Sequence, residues 1–76
     1  TINGTTTINN NSNATSAYID FGSNGTTICN GNVTVTNAGA QTTKRIYLGN
    51  NGDITFNGTL NITNNSSASN SEIYCN

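Results

Sequence analysis

The sequence contains no histidine, methionine, tryptophan or proline, and only five of its 76 residues are charged. Without histidine the commonest general base and the commonest zinc and copper ligand are missing, so no cofactor or metal is expected. Lys44 and Arg45 are the only cations and the formal net charge is −1. That leaves no basic footprint for the phosphates of a nucleic acid. No apolar run approaches the roughly 18 residues of a membrane-spanning helix, and no basic amphipathic stretch could lie on a membrane surface. Ile, Leu, Val and Phe total only 14. That scarcity is found in disordered chains, but such chains also carry a high net charge, which this one lacks. What fills the space is Asn (17), Thr (14), Gly (8) and Ser (7).

These residues recur in order. Written in rows of 27, the chain divides into residues 3–29, 30–56 and 57–76, and no gap is needed. Asn3-Gly4, Asn30-Gly31 and Asn57-Gly58 open the rows. Ile19, Ile46 and Ile73 share a column, as do Asn10, Asn37 and Asn64. Gly22 stands over Gly49, and Asn24-Gly25 over Asn51-Gly52. A fixed period in this range is the mark of stacked structural units.

Inside each row the local period is two. Apolar and polar residues alternate along 32–36, 46–48, 53–56 and 59–63, and the runs end in Asn-Gly or Gly-Asn turn signals. Thr and Asn together supply 31 residues, which disfavours helix. Each row is expected to hold three short strands, near 5–9, 18–21 and 26–29 in the first, with the polar stretches 10–17, 37–44 and 64–71 as outer loops. An antiparallel sandwich could use such strands, but its columns need not repeat. A right-handed parallel β-solenoid explains the recurrence, because each residue type then stacks on its own kind about 4.8 Å away. The expected fold is all-β: a β-helix of just under three 27-residue coils in one domain, residues 1–76.

The expected inward columns are Thr6/Val33/Leu60, Ile8/Val35/Ile62, Ile19/Ile46/Ile73, Phe21/Leu48/Cys75, Thr27/Ile54 and Ile2/Cys29/Phe56. Cys29 and Cys75 lie in different columns and are 46 residues apart, not a whole number of rows. That places them roughly 8 Å apart along the stack, beyond the ~7 Å that a disulfide spans, so free thiols are expected. Repeat arrays need polar caps at their ends, and neither end of this chain has one written into it. Ile2 and Ile8 at one end, and Ile62, Ile73 and Cys75 at the other, are therefore the expected stacking interface. The chain begins without Met and stops within a row, as expected of a piece of something longer.

On the outside, Tyr18, Arg45 and Glu72 share one column, and Asp20, Tyr47 and Tyr74 the next. Arg45 should pair with Glu72, and Tyr47 with Tyr74 offers an aromatic surface on which a glycan could stack. Nine N-glycosylation sequons begin at Asn3, Asn10, Asn13, Asn24, Asn32, Asn57, Asn61, Asn64 and Asn65. Sugars, if present, are expected first on the outer-loop sites Asn10, Asn13, Asn64 and Asn65.

The motif N-G-x-(V/L)-x-(V/I), at residues 30–35 and 57–62, together with the Thr/Asn-rich exterior, resembles the β-solenoid repeats of large secreted adhesins and surface fibres. That resemblance implies a structural or adhesive role outside the cell, and it carries no site residues; the sequons add the expectation of a glycoprotein. The expectation is a non-enzymatic module of an extracellular filament that assembles with itself by end-to-end stacking. The alternative is an ice-binding solenoid using Thr5, Thr7, Thr34, Thr36, Thr59 and Thr63 as an outward hydroxyl array. A polysaccharide-processing enzyme would need clustered Asp, Lys or Arg on one face, and the columns provide none.

Overall fold

The computed structural model describes residues 1–75 and contains strands and no helix among them. Asn76, the last residue of the third row, lies outside the described residues. The chain forms eight strands: β1 (Thr6–Asn10), β2 (Ser16–Phe21), β3 (Thr26–Cys29), β4 (Val33–Asn37), β5 (Thr43–Leu48), β6 (Asp53–Phe56), β7 (Leu60–Asn64) and β8 (Asn70–Cys75). They assemble into three sheets, β1-β4-β7, β2-β5-β8 and β3-β6, with every pairing parallel. Ile2 bridges Cys29 in parallel and so continues the third sheet by one position.

The register is the repeat itself. Thr6 faces Val33 and Val33 faces Leu60; Ile19 faces Ile46 and Ile46 faces Ile73. Every paired position is 27 residues on, so each sheet takes one strand from each row, and consecutive strands belong to different sheets. The alternation of side chains along a strand then decides what is inside. The expected inward columns are the ones that pack: Ile8, Cys29, Val33, Val35, Ile46 and Leu48 form the buried core, with Ile2, Ile19, Phe21, Phe56, Leu60 and Ile73 against it. The apolar residues at or below 1% exposure are the ones covered on both sides: Val33, Val35, Ile46 and Leu48 in the middle row, and Cys29, which sits between Ile2 and Phe56.

The turns after β2 and β5 repeat as well. Gly22 and Gly49 have φ of 74° and 75°, and Asn24 and Asn51 have φ of 60° and 57°. These left-handed conformations suit glycine and asparagine and few other residues, which is why both columns keep their types.

The loops differ from expectation. They span only five residues between strands, because Asn10, Asn37 and Asn64 finish one strand while Ala17, Lys44 and Ser71 lie in the next. The reason is parity: Asn37 is two residues beyond Val35 and Lys44 two before Ile46, so both point inward. Asn37 and Lys44 are 0% exposed. The Lys44 ammonium donates to the carbonyls of Ala14, in the preceding row's loop, and Thr43. Its stem runs beside Gly39, where an added Cβ would lie 2.8 Å from Lys44 Cδ and 2.5 Å from the Ser12 carbonyl oxygen. Small column mates, Ala17 and Ser71, leave room for it. Gln41 is the point where the second loop departs from its neighbours: its φ is 84°, whereas the equivalent Ala14 and Ala68 have no positive φ.

Candidate assembly edges and polar faces

Among the described residues two strand edges remain unpaired. β1 and β2 with Ile2 form one, and β6, β7 and β8 form the other. On the second edge Ile62 is 43% exposed and Cys75 is exposed, although both occupy inward columns. Ile2 and Ile73 are half-buried. Ile8, at 7% exposure, is the most covered of the five within its own chain. Both cysteines are free, Cys29 buried and Cys75 exposed.

Two asparagine ladders run from edge to edge, as expected where asparagine columns stack and bond their amides along the stack. The outer one opens the rows: Asn30 Nδ2 donates to Asn3 Oδ1 at 2.8 Å, and Asn57 Nδ2 donates to Asn30 Oδ1 at 2.7 Å. The inner one joins two sheets. Asn10 Nδ2 donates to the Ala17 carbonyl, seven residues on, at 3.2 Å and to the Arg45 carbonyl, thirty-five on, at 3.4 Å. Asn37 repeats both donations, to Lys44 at 3.0 Å and Glu72 at 3.5 Å, and adds Asn64 Oδ1 at 3.3 Å and Ser71 Oγ at 3.1 Å. Asn64 Nδ2 makes the seven-residue donation, to Ser71 at 3.3 Å.

The sequons separate by parity too. Asn10 is 3% exposed with its amide nitrogen turned inward, so the folded chain does not present it for glycosylation. This corrects its expected place among the outer-loop sites. Asn3, Asn13, Asn24, Asn32, Asn57, Asn61, Asn64 and Asn65 are exposed. Of these, Asn24, Asn57 and Asn64 already use the amide nitrogen that would carry the sugar.

The outward face of β2-β5-β8 carries the expected pairings. Arg45 Nε lies 2.8 Å from Glu72 Oε2. The N–H direction misses the oxygen, so the contact is an ion pair and not an aligned hydrogen bond. A hydrogen bond to the Tyr47 hydroxyl at 3.4 Å, with Glu72 contributing, holds the Arg45 guanidinium above its ordinary range against partial desolvation. Tyr47 and Tyr74 stack with ring centroids 5.0 Å apart and planes within 5°, the spacing their adjacent parallel strands impose. The Tyr74 hydroxyl donates to Glu72 Oε2 at 2.9 Å, and this bond raises the phenol above its usual value. An open cavity of about 240 Å³ lies beside the pair, lined by Tyr47, Leu48, Asn50, Asn51, Tyr74 and Cys75.

On the outward face of β1-β4-β7, Thr7 and Thr34 stack beneath Asn61, and Thr36 and Thr63 above Asn9. Among the described residues no three His, Cys, Asp or Glu side chains come together as a metal site, and no helix is long and apolar enough to cross a membrane. Comparison with known protein families, curated proteins and solved structures finds no match to this chain.

Proposed function

We propose that the chain is a structural module of an extracellular fibre or adhesin: a right-handed β-solenoid that lengthens by end-to-end stacking of its coils. The observation that carries this reading is the edge formed by β6, β7 and β8. It exposes Ile62 and Cys75 from inward columns and ends in strands whose backbone register is set for one more row. Parallel edges of this kind are templates for pairing with another chain, and head-to-tail contacts propagate without closing. Sedimentation velocity over a concentration series, with electron microscopy of the same samples, tests it. Unbranched filaments with a rise of about 14 Å per chain are expected, three strand spacings of ~4.8 Å. A stably folded, monodisperse monomer at every concentration would end the reading.

The extracellular assignment rests on the resemblance to surface-fibre repeats and on the exposed sequons. Chain purified from its source should exceed the 7.9 kDa of the bare polypeptide by whole glycan masses. A second reading, an ice-binding surface, is favoured by the exposed threonines of the β1-β4-β7 face. Thr5, Thr7, Thr34, Thr59 and Thr63 are exposed and Thr36 half-buried. Asn9, Asn32 and Asn61 interrupt that array, one in each row. Thermal hysteresis in a purified sample decides between the two, since a fibre module should show none.

A further inference from the structure

We infer that the asparagine ladders set the register and direction of the junction between two copies of this chain; the inference rests on the stacking reading above. The repeat arithmetic fixes how a second copy would sit. Continuing the 27-residue register places each of its residues over the residue 54 positions later in the first copy. Ile2 of the second copy then covers Phe56, Thr6 covers Leu60, Ile8 covers Ile62 and Ile19 covers Ile73.

The side-chain amides at the two edges are complementary in this register and in this direction. In the outer ladder each later asparagine donates Nδ2 to the Oδ1 of the one before it: Asn30 to Asn3, then Asn57 to Asn30. What is left over is one acceptor, Asn57 Oδ1, at one edge and one donor, Asn3 Nδ2, at the other. Asn3 of the second copy lands on Asn57 and supplies the next rung. The inner ladder ends in the same way. Asn10 and Asn37 each donate seven and thirty-five residues ahead, whereas Asn64 makes only the nearer donation. The carbonyl of Tyr18 in the second copy occupies the place of its missing farther acceptor, directly above Arg45 and Glu72 in one column.

The backbone agrees with the side chains. Asn30 N donates to Ile2 O and Asn57 N to Cys29 O, each at 2.8 Å. The next donor in that series is Asn3 N of the second copy and the next acceptor is Phe56 O. A shift of one residue would turn the inward columns outward and set asparagine amides against residues that cannot answer them. A head-to-head pairing would face donor with donor.

Asn3→Asp isolates the junction. The introduced carboxylate still accepts from Asn30 Nδ2, so the bond within the chain is kept, but the Nδ2 donor for the neighbour is gone and oxygen faces oxygen. The experiment compares the unglycosylated recombinant chain with this variant, following the critical concentration for assembly by sedimentation and the fold of dilute samples by circular dichroism. The expected result is an unchanged spectrum and urea midpoint below the assembly threshold, with a critical concentration raised about tenfold for the lost junction bond. Ile62→Lys, which blocks the edge in any register, should abolish assembly altogether. If the wild-type chain assembles and Asn3→Asp assembles equally well, the ladder junction is refuted while stacking stands. If the wild-type chain never assembles, both fail together.

Discussion

Asn37 is, with Lys44, one of two polar residues at 0% exposure among the described residues, and replacing it with aspartate gives a sharp test of the inward ladder. The side chain is 0% exposed, and its amide nitrogen reaches the Lys44 carbonyl at 3.0 Å and Ser71 Oγ at 3.1 Å. An amide has two N–H donors; a protonated carboxyl has one O–H, and a carboxylate none. At low pH Asn37→Asp should therefore lose one donation, about 1 kcal/mol. At neutral pH the introduced carboxylate must either ionise inside the core or take up a proton. Burial and facing carbonyl oxygens both disfavour the charged form and raise its folded pKa above the unfolded value near 3.9. The sign follows: stability is fully present below pH 4 and is lost as pH rises from there toward the raised folded value. Holding the proton at pH 7 costs about 1.4 kcal/mol for each of roughly three pH units, near 4 kcal/mol. A domain of this size has on the order of 4–11 kcal/mol in total, so the variant should be folded at pH 3.5 and lose roughly half or more of its stability by pH 7. Urea denaturation followed by circular dichroism, with wild type in parallel and below the assembly threshold, measures it. Asn61→Asp, on an exposed outward position, should stay within about 0.5 kcal/mol of wild type. If the pH 3.5-to-7 difference for Asn37→Asp, relative to wild type, stays under about 1 kcal/mol, Asn37 does not point inward as described.

Other substitutions and probes test the remaining features. Because Cys75 is exposed and Cys29 is buried, a thiol reagent should label one equivalent in the folded monomer and a second only on unfolding. Lys44→Ala should destabilise by about 2–4 kcal/mol by leaving a void in place of the stem, and Lys44→Met should recover much of that in the same urea titration. Gly39→Ala should cost about 1–3 kcal/mol, since its Cβ would press on the Ser12 carbonyl and the Lys44 stem. Arg45→Ala, by contrast, should shift the urea midpoint only slightly and reduce its salt dependence, because ion pairs at a partly exposed surface stabilise little.

The parallel register was legible in the sequence because it depends on a quantity the chain displays openly, the 27-residue recurrence of Asn-Gly, Gly and Ile. Given that recurrence, the inward columns followed from alternation alone, and the Tyr47–Tyr74 stack and the Arg45–Glu72 pair followed from the columns. Lys44 and the inner asparagines depart from the sequence expectation for an identifiable reason. Polarity predicts exposure, which assigns their side chains to the outer loops. Parity from Val35 and Ile46 runs straight through Asn37 and Lys44, and it won over polarity because the interior supplies backbone carbonyls to bind both. Gly39, the one glycine in a loop column otherwise held by Ser12 and Ser66, was the remaining signal that something large passes by. The ladder ends were invisible to sequence reasoning, since which amide donates and which accepts is settled only by neighbours in space.

The way the hydrogen bonds are distributed bears on why one row cannot stand alone. Every strand pairing joins residues 27 apart, and no two consecutive strands pair with each other. A single row therefore has no sheet of its own and must close a long loop before any ladder bond forms, which makes nucleation costly. Each further row meets an edge that is already built and gains its ladder at once. The same asymmetry applies to burial. In three rows the middle one is fully buried at Val33, Val35, Ile46 and Leu48, while Ile62 and Cys75 on the outer row stay exposed. Adding a row converts an outer layer into a middle one, so the stabilisation from each addition exceeds that row's own contacts. Nearest-neighbour coupling of this kind makes long stacks favoured over short ones. It acts equally whether the next row comes from a continuing chain or from a second copy, which is why the asparagine ladder, with its one donor and one acceptor left over, is where the two cases become chemically alike.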